Sequence, residues 1–252
     1  MDIFEVVKTA ARVGAEGIEV WGQAPHVADP NDLDHVARIR EAMAAAGIVA
    51  PQYGSYTRAA TDEFITNVKA DLAIAENLGS PAIRMWAGPA NSEECDIQQW
   101  EATIADLKAG CAMVTDAGLL ITLERHGGTV TNTLWGCQRT LDEVDSPALK
   151  INYQVGTATD TSTLAEEIRI LGPHILNTHA TNHRMVDGVR FSTRLEDGDM
   201  HWAEIIENLK AVGNDGFVEI EFARRGTEEI SLEQTEAEVA ADIAFLKKCM
   251  AD

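Results

Sequence analysis

The chain has 252 residues, 45% of them hydrophobic, and its 20 basic against 41 acidic side chains leave a net charge of −21. That length fits one large α/β domain, no run approaches the roughly 18 apolar residues of a membrane span, and the opening Met1-Asp-Ile-Phe-Glu lacks the basic flank of a secretory signal, so a cytoplasmic location is expected. So acidic a surface repels phosphate backbones and sets nucleic acid and membranes aside as expected partners, and it disfavours small anions unless a local arginine overcomes the field.

Taken in order, the chain repeats one phrase: an Ala- and Glu-rich amphipathic stretch, a glycine, then a short apolar run. A first helix is predicted over Ile3 to Val13, closed by Gly14 and followed by Gly17-Ile-Glu-Val-Trp21. A second, Asp34 to Ala46, is closed by Gly47 before a strand at Ile48 to Tyr53; a third, Asp62 to Leu78, by Gly79 before Ala82-Ile-Arg-Met-Trp86. A fourth, Trp100 to Ala117, leads through Gly118 to Leu119-Leu-Ile-Thr-Leu-Glu124. Strands follow at Leu149 to Gln154, Ile175 to His179 and, after Gly213, Phe217 to Glu221. Glycine supplies the left-handed residue that ends a helix and turns the chain into the next strand. Apolar residues at three- and four-residue spacing, such as Phe64, Val68, Leu72 and Ala75, mark the helices as an outer layer.

Regular alternation of helix and strand predicts a single (β/α)₈ TIM barrel over residues 1–252 rather than an open doubly wound sheet, since no Gly-x-Gly-x-x-Gly follows any strand. Seven strands are counted, and the first strand of the eight is missing or truncated. Its absence leaves a seam with two open strand edges, which proteins normally cover, so a homo-oligomer or hetero-oligomer is expected. Cysteines 95, 111, 137 and 249 have no Cys-x-x-Cys spacing and are expected to be free thiols.

Four of the strands end on residues able to hold a divalent ion: Glu124, Gln154, His179 and Glu221. A parallel barrel gathers its strand ends on one face, so ligands far apart in sequence can meet there. Gln154 is the odd member: its amide oxygen can bind a hard cation but brings no charge, which lowers affinity and leaves a stronger Lewis acid, or a site that has lost its metal.

Several motifs together resemble the xylose-isomerase-like TIM barrels of the sugar phosphate isomerase/epimerase superfamily, a group that includes inosose dehydratases and endonuclease-IV-like enzymes. They are Gly14-Ala-Glu-Gly-Ile-Glu19, Leu123-Glu124-Arg-His126-Gly127, His179-Ala-Thr-Asn182, Glu196-Asp-Gly198-Asp-Met-His-Trp202 and Asp215-Gly216 ahead of Glu221. The resemblance implies Mn²⁺, with Mg²⁺, Co²⁺ or Zn²⁺ as alternatives, held by Glu124, His179 and Glu221 and by whatever stands second in the set. There the family shows Asp followed three residues later by His, whereas this chain has Gln154 and Thr157. It further implies that Glu124 and Glu221 serve as acid and base, removing and returning a proton next to a metal-bound carbonyl, with the metal stabilising an enediolate.

The expected function is therefore a metal-dependent isomerase or epimerase acting on a keto-sugar or related polyol. A lyase or dehydratase working through the same enediolate on a keto-sugar, cyclitol or oxidised glycoside is the alternative, and a non-catalytic sugar-binding subunit the rival from another class. Arg84, Trp86, His126, His183 and Arg184 are the expected substrate-binding residues, the last two in a loop after His179. Glu19 reads as support for the barrel interior, Tyr53 and Tyr56 as packing, and Glu219, alternating with Glu221, as pointing to the opposite or lower face. Histidines 26, 35, 174 and 201 show no ligand spacing.

Overall fold

The computed structural model describes residues 1–155, 163–221 and 231–251. Helix α1 (Ile3–Val13) starts where the Asp2 carboxylate accepts a hydrogen bond from the Glu5 N–H at 3.0 Å. Asp32 does the same for α2 (Leu33–Ala46), Thr133 for α5 (Leu134–Val144), and Asp96 forms a reciprocal capping box with Gln99 at α4 (Ile97–Asp116). Each of these side chains satisfies an amide that the helix leaves unpaired. The helix-ending glycines read from sequence are confirmed: Gly14, Gly47 and Gly79 close α1, α2 and α3 (Phe64–Leu78) with left-handed backbones.

The strands are β1 (Val20–Trp21), β2 (Tyr53–Arg58), β3 (Ala82–Trp86), β4 (Leu120–Glu124), β5 (Leu149–Gln154), β6 (Ile175–Ala180) and, after an antiparallel hairpin, β9 (Val218–Ile220). They form one parallel sheet in the order β1-β2-β3-β4-β5-β6-β9. This is the α/β TIM-barrel fold with seven strands, as the repeat predicted. The second strand lies later than expected: Ile48 to Pro51 make only a bridge between Val49 and Gly17, and the ladder begins at Tyr53. Pro51 has no N–H to donate, which holds the start of regular pairing beyond it. The hairpin, β7 (Asn182–Val186) with β8 (Val189–Thr193), replaces the expected loop after His179 and exposes Met185, Val186, Val189 and Phe191. Helices α6 (Leu164–Leu171), α7 (Trp202–Ala211) and α8 (Leu232–Ala251) complete the outer layer.

Alternation along the strands divides the protein into two environments. Ile83 and Met85 of β3, Ile121 and Leu123 of β4, and Ile151 and Tyr153 of β5 are fully buried in the core between sheet and helices. Tyr153 donates its hydroxyl to Glu167 of α6 at 3.0 Å, which fixes that orientation. The intervening residues Arg84, Thr122, Glu124, Asn152 and Gln154 face the barrel interior, which is polar. Among the described residues, β1 and β9 are not paired to each other. Between them lies a cavity of about 560 Å³ bounded by α1, α8, Phe217 and Ile220. Among the described residues no helix is long and apolar enough to cross a membrane, and the four cysteines are free thiols.

Buried carboxyls also belong to the helix layer, among them Asp71, Glu167 and Asp242. Asp71 of α3 is buried and accepts a hydrogen bond from the Thr57 hydroxyl of β2 at 2.5 Å. Burial pushes its pKa up from 3.8 to about 6, against the pull of that bond. A folded value above the free one means that the stability this group lends is fully present below 3.8 and is lost as pH rises through about 6. Asp71→Asn, which keeps an acceptor for Thr57, is expected to raise the melting temperature near neutral pH by removing a cost of about 2–3 kcal/mol. The variant's melting temperature should also lose the fall that Asp71 contributes as pH rises through about 6, and a profile parallel to that of the parent would refute the assignment.

Candidate metal centre

The strand register brings the sequence-predicted ligands together. Glu124 ends β4 opposite Asn152, Gln154 ends β5 opposite His179, His179 lies in β6 opposite Glu219, and Glu221 follows β9 directly. One oxygen of Glu124, one nitrogen of His179 and one oxygen of Glu221 lie within 4.8 Å of one another. Gln154 joins them by donating its amide N–H to Glu221 Oε2 at 2.8 Å.

Two donor atoms in this cluster lack a hydrogen bond, although His179 Nδ1 lies 3.5 Å from Glu124 Oε1. His179 Nδ1 and Gln154 Oε1 are buried with no hydrogen-bond partner, an arrangement that ordinarily carries a free-energy cost. His179 Nε2, in contrast, is crowded: Glu19 Oε2 lies at 3.0 Å, Glu219 Oε2 at 3.2 Å and the Asn152 amide at 2.8 Å. Carboxylates on Nε2 hold a proton there, so a cation bound at Nδ1 would displace only the Nδ1 proton, the usual device for orienting a metal-binding imidazole. Two carboxylates, an imidazole and an amide oxygen, two of them otherwise unsatisfied, fit a divalent cation.

Arg84 of β3 crosses the interior with Nε 2.5 Å from Glu19 and Nη1 2.5 Å from Glu124. It can do so because residue 54 is glycine: a Cβ there would stand 2.6 Å from Glu19 Oε1 and 2.9 Å from Arg84 Nη2. Burial alone would raise the Glu19 carboxyl, but Arg84 and His179 hold it down at about 2. Burial is likewise outweighed at Glu124, whose pKa is lowered by the His179 contact and the Arg84 charge. At Glu221 burial wins and the pKa is raised. For His179 burial opposes protonation, yet Glu19 and the surrounding carboxylates lift the ring well above its ordinary value.

Glu219 takes the lower of the two positions expected for it, not the opposite face. Residues two apart on a strand share a face, so Glu219 points into the same interior as Glu221, one layer below. It touches His179 and accepts from Gln52 Nε2 at 2.9 Å, while Gln52 accepts from the Thr122 hydroxyl at 2.8 Å. Glu19, His179 and Glu219 form a second group with donor atoms within 4.8 Å. Sequence reading missed this lower polar layer, although the signal was there: two positions before each strand-end residue stands Thr122, Asn152, Asn177 or Glu219.

The other expected site residues separate. Trp86 and His126 stand together at the strand ends, ring centroids 4.9 Å apart, with the His126 ring 2.6 Å from the Gly127 carbonyl oxygen. His183 and Arg184 lie in strand β7 of the hairpin, not in a loop. His183 is buried beside Asn182, and Arg184 is exposed and bonded to the backbone oxygen of Asp197. Tyr53 is core, whereas Tyr56 is exposed and its hydroxyl accepts from Gln23. Thr157 lies outside the described residues.

The profile of the xylose isomerase-like TIM barrel family matches residues 7–249. The chain belongs to this family. Within the family, 3-dehydroshikimate dehydratase of Bacillus anthracis is 26% identical over 152 residues, 59% of this chain and 54% of the relative, so the match spans about half of that protein. The structure of D-allulose 3-epimerase from Methylomonas sp. superposes with a TM-score of 0.74 at 17% identity, covering 98% of this chain and 91% of that one. The IOLI protein, solved with a bound zinc atom, gives 0.77 at 14% identity, covering 100% and 94%. At these identities the solved structures establish the shared fold.

Proposed function

We propose that this xylose isomerase-like barrel is a divalent-metal-dependent enzyme that moves a proton on the carbon beside a carbonyl of a small hydroxylated substrate, with isomerisation or epimerisation as the outcome. The observation that carries the reading is the convergence of Glu124, His179 and Glu221 with two buried atoms that make no hydrogen bond, His179 Nδ1 and Gln154 Oε1. An ion held by Glu124, Gln154, His179 and Glu221, taken as Mn²⁺, polarises a carbonyl and acidifies the adjoining C–H when bound.

The chain's own groups divide the remaining work. Glu221 faces no cation within ion-pair distance among the described residues, and only one of its oxygens is engaged, by Gln154. It is the group that takes and returns the proton. Glu124 is locked to Arg84 and stays anionic, and Trp86 and His126 form a wall at the strand ends for the substrate's body and a hydroxyl. This inequality between the two carboxylates favours a second reading, elimination by a single base. The dehydratase among the relatives supports it.

The test is direct. Purified protein should bind about one equivalent of Mn²⁺, and the loaded protein should exchange deuterium from solvent into keto-sugars or cyclic hydroxyketones. Binding below about a tenth of an equivalent would sink the reading in favour of a non-catalytic sugar-binding subunit. Gln154→Asp, which adds a charge to the donor set, is expected to tighten Mn²⁺ by about tenfold; weaker binding would show that position 154 is not a ligand.

A further inference from the structure

Arg58 ends β2 between the loops that follow β3 and β4. Its Nη1 donates to the carbonyl oxygens of Gly88 at 2.6 Å and Gly128 at 3.0 Å, and its Cζ lies 4.6 Å over the Trp86 ring. Trp86 packs in turn against His126, ring centroids 4.9 Å apart. The row Arg58, Trp86, His126 therefore stands one layer above the Arg84 and Glu124 pair, at about 7 Å from two residues of strand rise. That spacing is the span of a small ring or a five- to six-carbon chain.

The charge on Arg58 is unusual for its place. Arg84 is neutralised by Glu19 and Glu124, and Arg125 by Glu167. Arg58 is half-buried, yet no carboxylate lies within ion-pair distance of it among the described residues, in a chain with 41 acidic side chains. Two neutral carbonyls and an indole face hold the guanidinium in position without cancelling its charge. Its Nε and Nη2 have no hydrogen-bond partner among the described residues, and neither has the buried Trp86 Nε1–H. A fixed, uncompensated guanidinium fork suits a planar carboxylate, which it binds through two parallel hydrogen bonds. It also supplies the local positive field that an acidic protein needs if it is to admit an anion at all.

We propose that Arg58 is an anion subsite and that the substrate is a hydroxylated carbonyl compound bearing one carboxylate, held with the carboxylate on Arg58 and the carbonyl towards Glu124 and Glu221. A single cation matches one negative charge better than a phosphate dianion. The proposal rests on the metal-centre reading above, which is measured separately.

The experiment uses Mn²⁺-loaded protein and calorimetric binding of a panel of hydroxylated monocarboxylates, with D-glucuronate and quinate as first members, each beside its primary amide. Sugar phosphates form a third arm. At least one acid should bind about tenfold or more tightly than its amide, Arg58→Met should erase that difference, and Arg58→Lys should restore part of it. Melting temperature and Mn²⁺ affinity are recorded for every variant. Equal binding of acids and amides, binding of no acid, or full acid preference in a folded Arg58→Met protein overturns the subsite. Tighter binding of phosphates overturns the carboxylate assignment. Failure of the parent protein to bind Mn²⁺ is a separate result that removes the metal-centre reading instead.

Discussion

Replacing Glu221 with Gln is expected to lower turnover by about a hundred- to ten-thousandfold, the usual contribution of a positioned general base. The folded protein should survive the change, because the new amide oxygen still accepts from Gln154 Nε2 where the carboxylate did. Melting temperature should therefore stay close to that of the parent while solvent deuterium exchange into substrate disappears. With Mn²⁺ binding measured alongside, the combination is diagnostic: lost exchange with metal and fold retained supports the base, lost exchange with lost metal or structure would point to ligation or packing, and retained exchange would move the proton-transfer role to another residue. Glu124→Gln is not an equivalent control, since it also withdraws a charge from Arg84.

The second large effect concerns stability. Arg84→Met removes the cation between Glu19 and Glu124 and leaves two carboxylates in an interior where Arg84 itself is only 4% exposed. Breaking a buried ion pair from one side ordinarily costs about 3–5 kcal/mol, because the remaining charge is stranded. Urea denaturation should show a loss of that order, and adding Glu19→Gln to the variant should recover part of it. A variant as stable as the parent would mean that the Arg84 network contributes nothing to holding the barrel interior together.

Much of the architecture was legible in the sequence because its cause is local. The spacing of Phe64, Val68 and Ala75 marks a helix face, the glycines at 14, 47 and 79 mark helix ends, and strands that alternate with helices leave few arrangements other than a parallel barrel. The convergence of Glu124, Gln154, His179 and Glu221 was legible for the same reason, since each closes an apolar run. What was lost depends on contacts across the barrel. Nothing near Arg84 in the chain announces that Glu19, 65 positions away, will hold it, so its charge read as available for substrate. Arg58 stood in a segment assigned to no strand, because the ladder was placed at Ile48 to Tyr53 instead of Tyr53–Arg58. The hairpin that carries His183 and Arg184 escaped because its exposed, mixed sequence around Asp187-Gly188 reads equally well as a loop.

The unpaired edges of β1 and β9 give the described barrel a mechanical property that a closed one lacks. A split ring has a soft mode, the widening and narrowing of its gap, because no ladder of hydrogen bonds ties one lip to the other. Glu19 stands just before β1 on one lip and Glu219 and Glu221 stand on the other, where β9 continues the ladder of the strands that carry Glu124, Gln154 and His179. Motion of the gap therefore leaves Glu124, Gln154, His179 and Glu221 on one continuous ladder and carries Glu19 towards or away from Glu219. The separation between Glu19 and Glu219 becomes an adjustable distance, set by whatever occupies or bridges the gap.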